Sequence, residues 1–433
     1  MTQPTRREFL GASALLGTGL VAAIAPRAFA AGDETIKIGL IGCGGRGTGA
    51  ASQALNTEGP VKLVAMGDAF PANVEGALGH LKGALGDRAE ARIDVPPERR
   101  FSGFDAYQKV IDSDVDLVVM ATPPGFRPVH FEYAVQKGRH VFMEKPVAVD
   151  APGVRQVIAA AKLAKEKNLK VGVGLQRRHQ APYLDIVKRI QDGAIGEIVA
   201  LRVYWNGGGV WDPRKKRDEC KTEMEYQMHN WYYYNWLCGD HIVEQHIHNL
   251  DVGLWIKGQL PVKGNGMGGR EVRVNPKYGE IFDHHACEFT FPDGSVMFSQ
   301  CRHIANCWNP VDEFAHGTKG TSHVGHNLTV NGSPQYNVKG GSKDPYQVEH
   351  DDLFNAVRKN IEYNEAERGA NSSMCAIFGR MLSYSGRELK WEDAINSEIS
   401  LAPKAYSFDA EPPVKADAAG VYAKAVPGVT KVI

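Results

Sequence analysis

The stretch IKIGLIGCGGRG, Ile36 to Gly47, restricts the possible folds more than any other in the chain. An apolar run ends in Gly42-Cys43-Gly44-Gly45-Arg46-Gly47, a GxGxxG pattern, and helix-forming residues come after it. Glycines spaced this way permit a tight strand-to-helix turn and let backbone N–H groups approach a pyrophosphate at the helix N-terminus. Asp68 lies just past the next apolar run, Val61 to Met66, where a carboxylate accepts from the adenosine ribose 2′-OH. A carboxylate there repels a 2′-phosphate, so the pattern favours NAD. Arg46 within the loop is a cation able to meet phosphate and keeps NADP as the alternative.

The chain continues in the same rhythm. Val115 to Ala121 reads as a buried strand broken by Thr122-Pro123-Pro124, with a helix from about Val129. His140 to Met143 is a further strand closed by Glu144-Lys145-Pro146, then a helix Ala151 to Asn168 and a strand Lys170 to Leu175. Repeated βα units of this length predict an α/β fold with a doubly wound parallel sheet. Beyond about Ala181 the rhythm changes. An aromatic insertion runs from Trp205 to Trp236, and short alternating runs between Lys263 and Val338 predict a mostly antiparallel sheet. Helices return over Val348 to Arg358 and Met374 to Leu389.

The first residues are not read as fold. Thr5-Arg6-Arg7-Glu8-Phe9-Leu10, an apolar Gly/Ala-rich run to Ala25 and Ala28-Phe29-Ala30 together read as a twin-arginine signal with a cleavage point. The expected organisation is a signal over 1–30, a nucleotide-binding domain over 34–178, a second α/β domain over 179–400 and a tail over 401–433. Export predicts a periplasmic protein with no membrane insertion after signal cleavage. The 50 basic and 50 acidic residues cancel, with no basic stripe to suit nucleic acid. Seven scattered cysteines form no CxxC pair; Cys301 and Cys307 are the nearest candidates for a disulfide.

Lys145 is expected at the carboxyl end of a parallel strand, where open α/β sheets bind ligands. A lysine there can exchange a proton with a substrate hydroxyl. The stretch Glu244-Gln245-His246-Ile247-His248-Asn249-Leu250-Asp251 supplies a second polar group. On one continuous helix, at about 100° per residue, His241, Glu244, His248 and Asp251 gather on one face, with Val243, Ile247, Leu250 and Leu254 on another side. His246 falls off that face as a surface, packing or capping residue. Three readings of the polar face compete: proton transfer beside Lys145, a structural helix face, or a metal site from His241, Glu244 and His248. Hydride transfer needs no metal, and none is assigned.

The glycine loop, the Thr122-Pro123-Pro124 turn with Arg127 and His130, HVFMEKPVAVD and Gly174 to His179 together resemble the glucose–fructose oxidoreductase/inositol dehydrogenase (Gfo/Idh/MocA) family, over roughly Ile36 to Ser397. The resemblance implies a Rossmann domain and then an α/β domain whose open sheet often forms the oligomer interface, hence a homo-oligomer, dimer or tetramer. It implies cofactor contacts at Gly42, Gly44, Gly47, Thr122, Pro123, His130, Glu144 and Gln176, beside Gly45, Arg46 and Asp68 read from the loop pattern and its spacing. It implies a catalytic Lys145, with His248 as proton acceptor oriented by Glu244, and Asp251 near substrate. The chain departs from the commonest family pattern in having Glu at 244 and His at 246.

Arg177 and His179 come after a parallel strand and are candidates for meeting a polyhydroxyl or anionic ligand. In the insertion, Trp231 and Tyr233 are candidates for stacking on sugar rings, with interdomain packing as the competing reading. The expected activity is an exported NAD(P)-dependent oxidation of a secondary hydroxyl on a sugar, glycoside or cyclitol. Outside the cytoplasm there is no free dinucleotide pool, so the cofactor is expected to be tightly held. An NAD-dependent glycosidase and a non-catalytic ligand-binding protein of the same fold are the alternatives.

Overall fold

The computed structural model describes residues 34–341 and 343–433; the signal reading over 1–30 lies outside the described residues. Strands β1 (Ile36–Ile41), β2 (Val61–Asp68), β3 (Arg100–Ser102), β4 (Leu117–Met120), β5 (His140–Met143) and β6 (Val171–Val173) form a parallel sheet in the order β3-β2-β1-β4-β5-β6. Strand β4 is buried along its whole length, as a parallel strand covered by helices on both faces must be. The strand order reverses between β1 and β4, and this switch point opens the crevice at the carboxyl ends of the strands.

A second sheet holds β7 (Ile198–Gly207), β8 (Lys263–Gly269), β9 (His284–Thr290), β10 (Val296–His303), β11 (Glu313–Gly317), β12 (Gly320–His323), β13 (Asn327–Val330), β14 (Ser333–Asn337) and β15 (Leu389–Lys390). Its order is β14-β13-β12-β11-β7-β10-β9-β8-β15, antiparallel except where β10 runs parallel to β7. The expected fold class is therefore the observed one: a Rossmann-like parallel sheet plus a mostly antiparallel sheet.

The helix Ala366–Ser385 joins the two sheets, and its residues are almost all buried. It approaches β8 closely because β8 carries glycine at 264, 266 and 268. A Cβ at Gly264 would lie 2.7 Å from the Leu382 side chain, and those at Gly266 and Gly268 would lie 3.2 Å from Leu382 and Ser383. The helix Pro345–Lys359 returns to the first sheet, and its Leu353, Phe354 and Val357 complete the core around β1 and β2. Chain order and packing units thus differ: a late helix finishes the first core. All seven cysteines are free, with Cys301 buried and Cys307 exposed, so the candidate disulfide is not formed. No helix among the described residues is long and apolar enough to cross a membrane.

Candidate active site

Strand β1 ends at Ile41, and Gly42 turns the chain with φ +90°, a conformation glycine adopts without strain. The helix Gly45–Leu55 begins immediately, with no side-chain cap and no acidic residue in its first turn. Its first N–H groups are left for an external anion. Gly47 is packed so closely that a Cβ would sit 1.8 Å from the Gly42 carbonyl oxygen. Gly44 and Gly45 are the opposite case: both line the cleft, and no protein atom lies within 4 Å of where a Cβ would be. That open space fits a pyrophosphate, and the loop fits a dinucleotide.

Asp68, at the end of β2, lines the same cleft. Its Oδ2 accepts from the Cys43 N–H at 2.7 Å, and its Oδ1 accepts from the Phe70 N–H and Asn73 Nδ2, each at 2.9 Å. Burial raises its pKa, and these hydrogen bonds oppose the rise. The carboxylate therefore ties the glycine loop to the β2 terminus and faces the cleft. Arg46 also lines the cleft, but its guanidinium is engaged by Glu144 and, at 3.3 Å, by Glu349. The loop cation is thus neutralised from within the protein.

The cleft encloses about 590 Å3 and runs from the glycine loop to the second sheet. Gly42, Gly44, Gly45, Arg46, Gly47, Asp68, Thr122, Pro123, His130, Glu144, Lys145, Gln176, Trp231, Glu244 and His248 all line it. The fold brings these separated sequence candidates together. Thr122 and His130 lie 3.4 Å apart through Oγ1 and Nδ1, and Arg127 donates to the Thr122 carbonyl at 2.7 Å. Burial, reinforced by Arg127, pushes the His130 imidazole down to about 3, so it is neutral at pH 7.

Lys145 stands just past β5, and its peptide bond to Pro146 is cis. Its ammonium donates to the Glu244 carboxylate at 2.9 Å and also to the Glu244 carbonyl oxygen. His248 stands in the same cleft with its ring stacked on Trp205 at 5.9 Å. Burial first, then the Lys145 charge, hold His248 well below its ordinary range, so it is a neutral imidazole. Its Nδ1 is buried without a hydrogen-bond partner among the described residues, as is Gln176 Oε1. Buried polar atoms are nearly always paired, so two orphans lining one cleft mark where a ligand's polar groups fit.

The continuous helix expected around these histidines is broken. One helix covers His241–Glu244 and the next Ile247–Lys257. Between them the His246 N–H reaches the His241 carbonyl, five residues back, at 3.2 Å. This wide turn inserts an extra residue into the helical repeat and rotates the helix Ile247–Lys257 by roughly one residue's angle. The expected Glu244–His248 pairing is thereby corrected: Glu244 holds Lys145 instead. His246, the departure from the family pattern, is fully buried and packs inward, 2.8 Å from Ser299 Oγ.

Four candidates for substrate contact do not line the cleft. Asp251 is buried in a bidentate pair with Arg178, at 2.8 and 3.0 Å, and accepts from Ser372 Oγ at 2.6 Å. Arg177 is mostly covered and forms an ion pair with the buried Glu313. His179 lies between Asp352, at 2.7 Å, and Glu365, at 3.4 Å. Despite burial, these carboxylates push it up to about 9. Tyr233 is fully buried in an aromatic core with Tyr232, Tyr234 and Trp236, donating to the Trp211 carbonyl. A place after a strand, on a helix face or in the insertion makes each of these a candidate, and each answers an internal partner instead. The insertion divides residue by residue: Trp205, Trp211 and Trp231 line the cleft, and the tyrosines pack beneath. Tyr346 also lines the cleft and is absent from the sequence candidates. It stands at the start of the helix Pro345–Lys359, and no local motif marks it.

Residues 36–175 match the model of the oxidoreductase family GFO_IDH_MocA, an NAD-binding Rossmann fold. An inositol 2-dehydrogenase of Rhizobium meliloti is 26% identical over 289 residues, 66% of this chain and 74% of that protein. A 2,7-anhydro-N-acetylneuraminate hydratase of Escherichia coli is 27% identical over 211 residues, 48% of this chain and 50% of its own. Among solved structures, levoglucosan dehydrogenase in complex with NADH and levoglucosan superposes with a TM-score of 0.64 at 17% identity, covering 82% of this chain and 99% of that one.

Proposed function

We propose, for a chain whose Rossmann domain belongs to the Gfo/Idh/MocA oxidoreductases, that the cleft oxidises a secondary hydroxyl of a sugar, glycoside or cyclitol with tightly held NAD. The observation that carries this reading is the pairing of Lys145, fixed by Glu244, with a neutral His248 in the cleft that begins at the glycine loop. When bound, the nicotinamide supplies the acceptor for the hydride that leaves the carbinol carbon. His248 takes the hydroxyl proton as that carbon becomes a carbonyl. Lys145 donates a hydrogen bond to the same oxygen and stabilises its developing charge. Glu244 holds the ammonium in place. Trp205, Trp211 and Trp231 offer ring faces to the apolar C–H face of a sugar. Asp68 supports NAD over NADP, and the neutralised Arg46 leaves no loop cation free for a 2′-phosphate.

Export through the twin-arginine route and a periplasmic location belong to this proposal and rest on Arg6-Arg7 and the apolar run after them. Assembly as a dimer or tetramer is supported by apolar side chains exposed on and beside the second sheet: Val199 on β7, Phe298 on β10 and Trp308 in the connection from β10 to β11. Heating purified mature protein is expected to release close to one equivalent of nicotinamide dinucleotide per chain. Protein that is empty and binds neither NAD nor NADP would overturn the proposal.

The depressed His248 pKa sets a pH dependence. Only the neutral imidazole accepts a proton, and its pKa lies well below 6.5 in the folded protein. The acid limb of kcat/KM is therefore expected below 6.5, with activity undiminished between that value and pH 7. A limb at or above 6.5 would remove His248 as the acceptor.

A second reading is supported by the relative named as a hydratase, which is not named for a net oxidation. Oxidising a sugar hydroxyl to a ketone acidifies the neighbouring C–H; loss of that proton expels a β-leaving group, water adds to the enone that results, and the ring ketone is then reduced back. Aryl-glycoside cleavage without net cofactor reduction would favour this glycosidase; steady reduction of added cofactor by free sugars favours the dehydrogenase.

A further inference from the structure

Outside the cleft the second domain encloses a group of histidines that the proposed chemistry does not use. Asp240, His241, His285 and His303 are buried, the first two completely. Asp240 Oδ1 lies 2.9 Å from His241 Nδ1 and 3.4 Å from His285 Nε2. The candidate ligand atoms of Asp240, His241 and His285 all fall within 4.8 Å of one another.

The hydrogen bonding gives each ring one engaged nitrogen and one bare one. His241 Nδ1 faces the Asp240 carboxylate, which accepts from it. His303 Nε2 is 2.8 Å from the Gln245 side-chain oxygen, also an acceptor. His285 Nδ1 is 2.7 Å from Ser383 Oγ, whose own proton goes to the Gly379 carbonyl at 3.0 Å or that of Arg380 at 3.1 Å. Each imidazole therefore spends its N–H on an oxygen. The remaining nitrogens, His241 Nε2, His285 Nε2 and His303 Nδ1, are buried lone pairs with no partner among the described residues. His285 Nε2 faces a carboxylate oxygen without a hydrogen bond, an arrangement of two electron-rich atoms that a cation between them would stabilise.

His285 is wired as metal-binding imidazoles are: one nitrogen is free to bind the ion, and the other donates to a hydroxyl that fixes the ring. At Zn–N distances of about 2.0–2.1 Å, tetrahedral geometry puts neighbouring ligand atoms about 3.3 Å apart. With His241 bound through Nδ1, its proton displaced by the ion, and His285 through Nε2, the spacings of 2.9 and 3.4 Å around Asp240 Oδ1 match that edge. Asp240 also holds a left-handed φ of +77°, unusual for a residue other than glycine, and the Phe282 N–H, at 2.9 Å, and the Tyr384 hydroxyl, at 2.5 Å, hold its second oxygen.

We propose that Asp240, His241 and His285 bind one divalent first-row transition metal, with zinc best matched by two imidazoles and a carboxylate. The site is structural. It ties the start of the helix His241–Glu244, which carries the partner of Lys145, to β9, which carries His285. Sequence spacing suggests a different metal set, His241 with Glu244 and His248; the fold separates those residues and brings His285 to His241 from 44 positions away. Being fully enclosed, the metal enters during folding and exchanges slowly, so it survives purification.

The test is metal content of the full mature chain, purified without immobilised metal and measured by inductively coupled plasma mass spectrometry. About one equivalent of zinc or another first-row metal per chain is expected. His285→Gln is expected to lose most of it while retaining bound dinucleotide. Because that variant could fail to fold, wild-type protein is also unfolded in chelator and refolded with Co2+ or without metal. Visible d–d absorption and a raised Tm with Co2+ support the site. Metal-free purified protein that shows neither absorption nor a Tm shift with Co2+ or Zn2+ overturns it and leaves buried water as the occupant. Metal content and dinucleotide content are separate readouts, so failure of this site and failure of the redox proposal are distinguishable.

Discussion

Replacing Lys145 with Met is expected to lower kcat by about 10²–10⁴-fold, the range for loss of a positioned proton-handling group, while bound dinucleotide is retained. Methionine keeps the length and apolar bulk of the lysine stem and removes only the ammonium. In the wild-type protein that ammonium has two fixed acceptors, the Glu244 carboxylate at 2.9 Å and the Glu244 carbonyl, and lines the cleft beside His248. A third N–H is left for a substrate oxygen. The glycine loop and Asp68 lie elsewhere in the cleft and do not depend on Lys145, so the dinucleotide stays. The effect is expected in kcat more than in KM, because the hydrogen bond strengthens as the oxygen gains charge. Glu244→Gln should fall in the same direction by less, since the carbonyl acceptor remains. Activity of Lys145→Met within threefold of wild type would remove the lysine from the chemistry.

Two alanine substitutions in the glycine loop are expected to fail differently. Gly47→Ala drives a methyl to within 1.8 Å of the Gly42 carbonyl, backbone that cannot step aside without moving the turn. A loss of about 3 kcal/mol or more is expected, at the upper end for overpacked sites. Gly44→Ala meets no protein atom within 4 Å, and Gly44 has φ −74°, which alanine adopts freely. Its cost to the cofactor-free protein should be within about 0.5 kcal/mol. The new methyl fills space assigned to the pyrophosphate, so dinucleotide affinity should fall by roughly 10–100-fold, equivalent to the usual overpacking penalty. Thermal unfolding and dinucleotide titration of both variants separate the two effects. Equal stability losses in both would mean that the open space at Gly44 is not where the cofactor lies.

The parts of this site that are legible in the sequence are those set by local rules. The glycine loop announces itself because φ, close approach and an uncapped helix start are properties of a few consecutive residues. Lys145 is legible because a strand closed by proline fixes where its carboxyl end emerges. The partnership of Glu244 is not. A single extra residue in the helical repeat, at Gln245–His246, invalidates a wheel drawn through His241 and Asp251, and no residue type in the stretch demands that step. The anchors of Arg177, His179 and Asp251 are side chains that only the tertiary fold brings near. Glu349, which accepts a hydrogen bond from Arg46, lies 303 residues further along the chain. Tyr346 reaches the cleft for the same reason, because the helix that carries it packs back on the first sheet. Long-range return of this kind leaves no periodic trace at either end.

The most direct measurement is a crystal structure of the mature protein with its dinucleotide and a sugar or cyclitol bound. The pyrophosphate is expected over Gly44 and Gly45, the ribose hydroxyls at Asp68, and nicotinamide C4 beside a carbinol carbon whose oxygen lies within hydrogen-bond reach of both Lys145 Nζ and His248. A nicotinamide ring turned away from Lys145 and His248, or a substrate oxygen held by other groups, would contradict it.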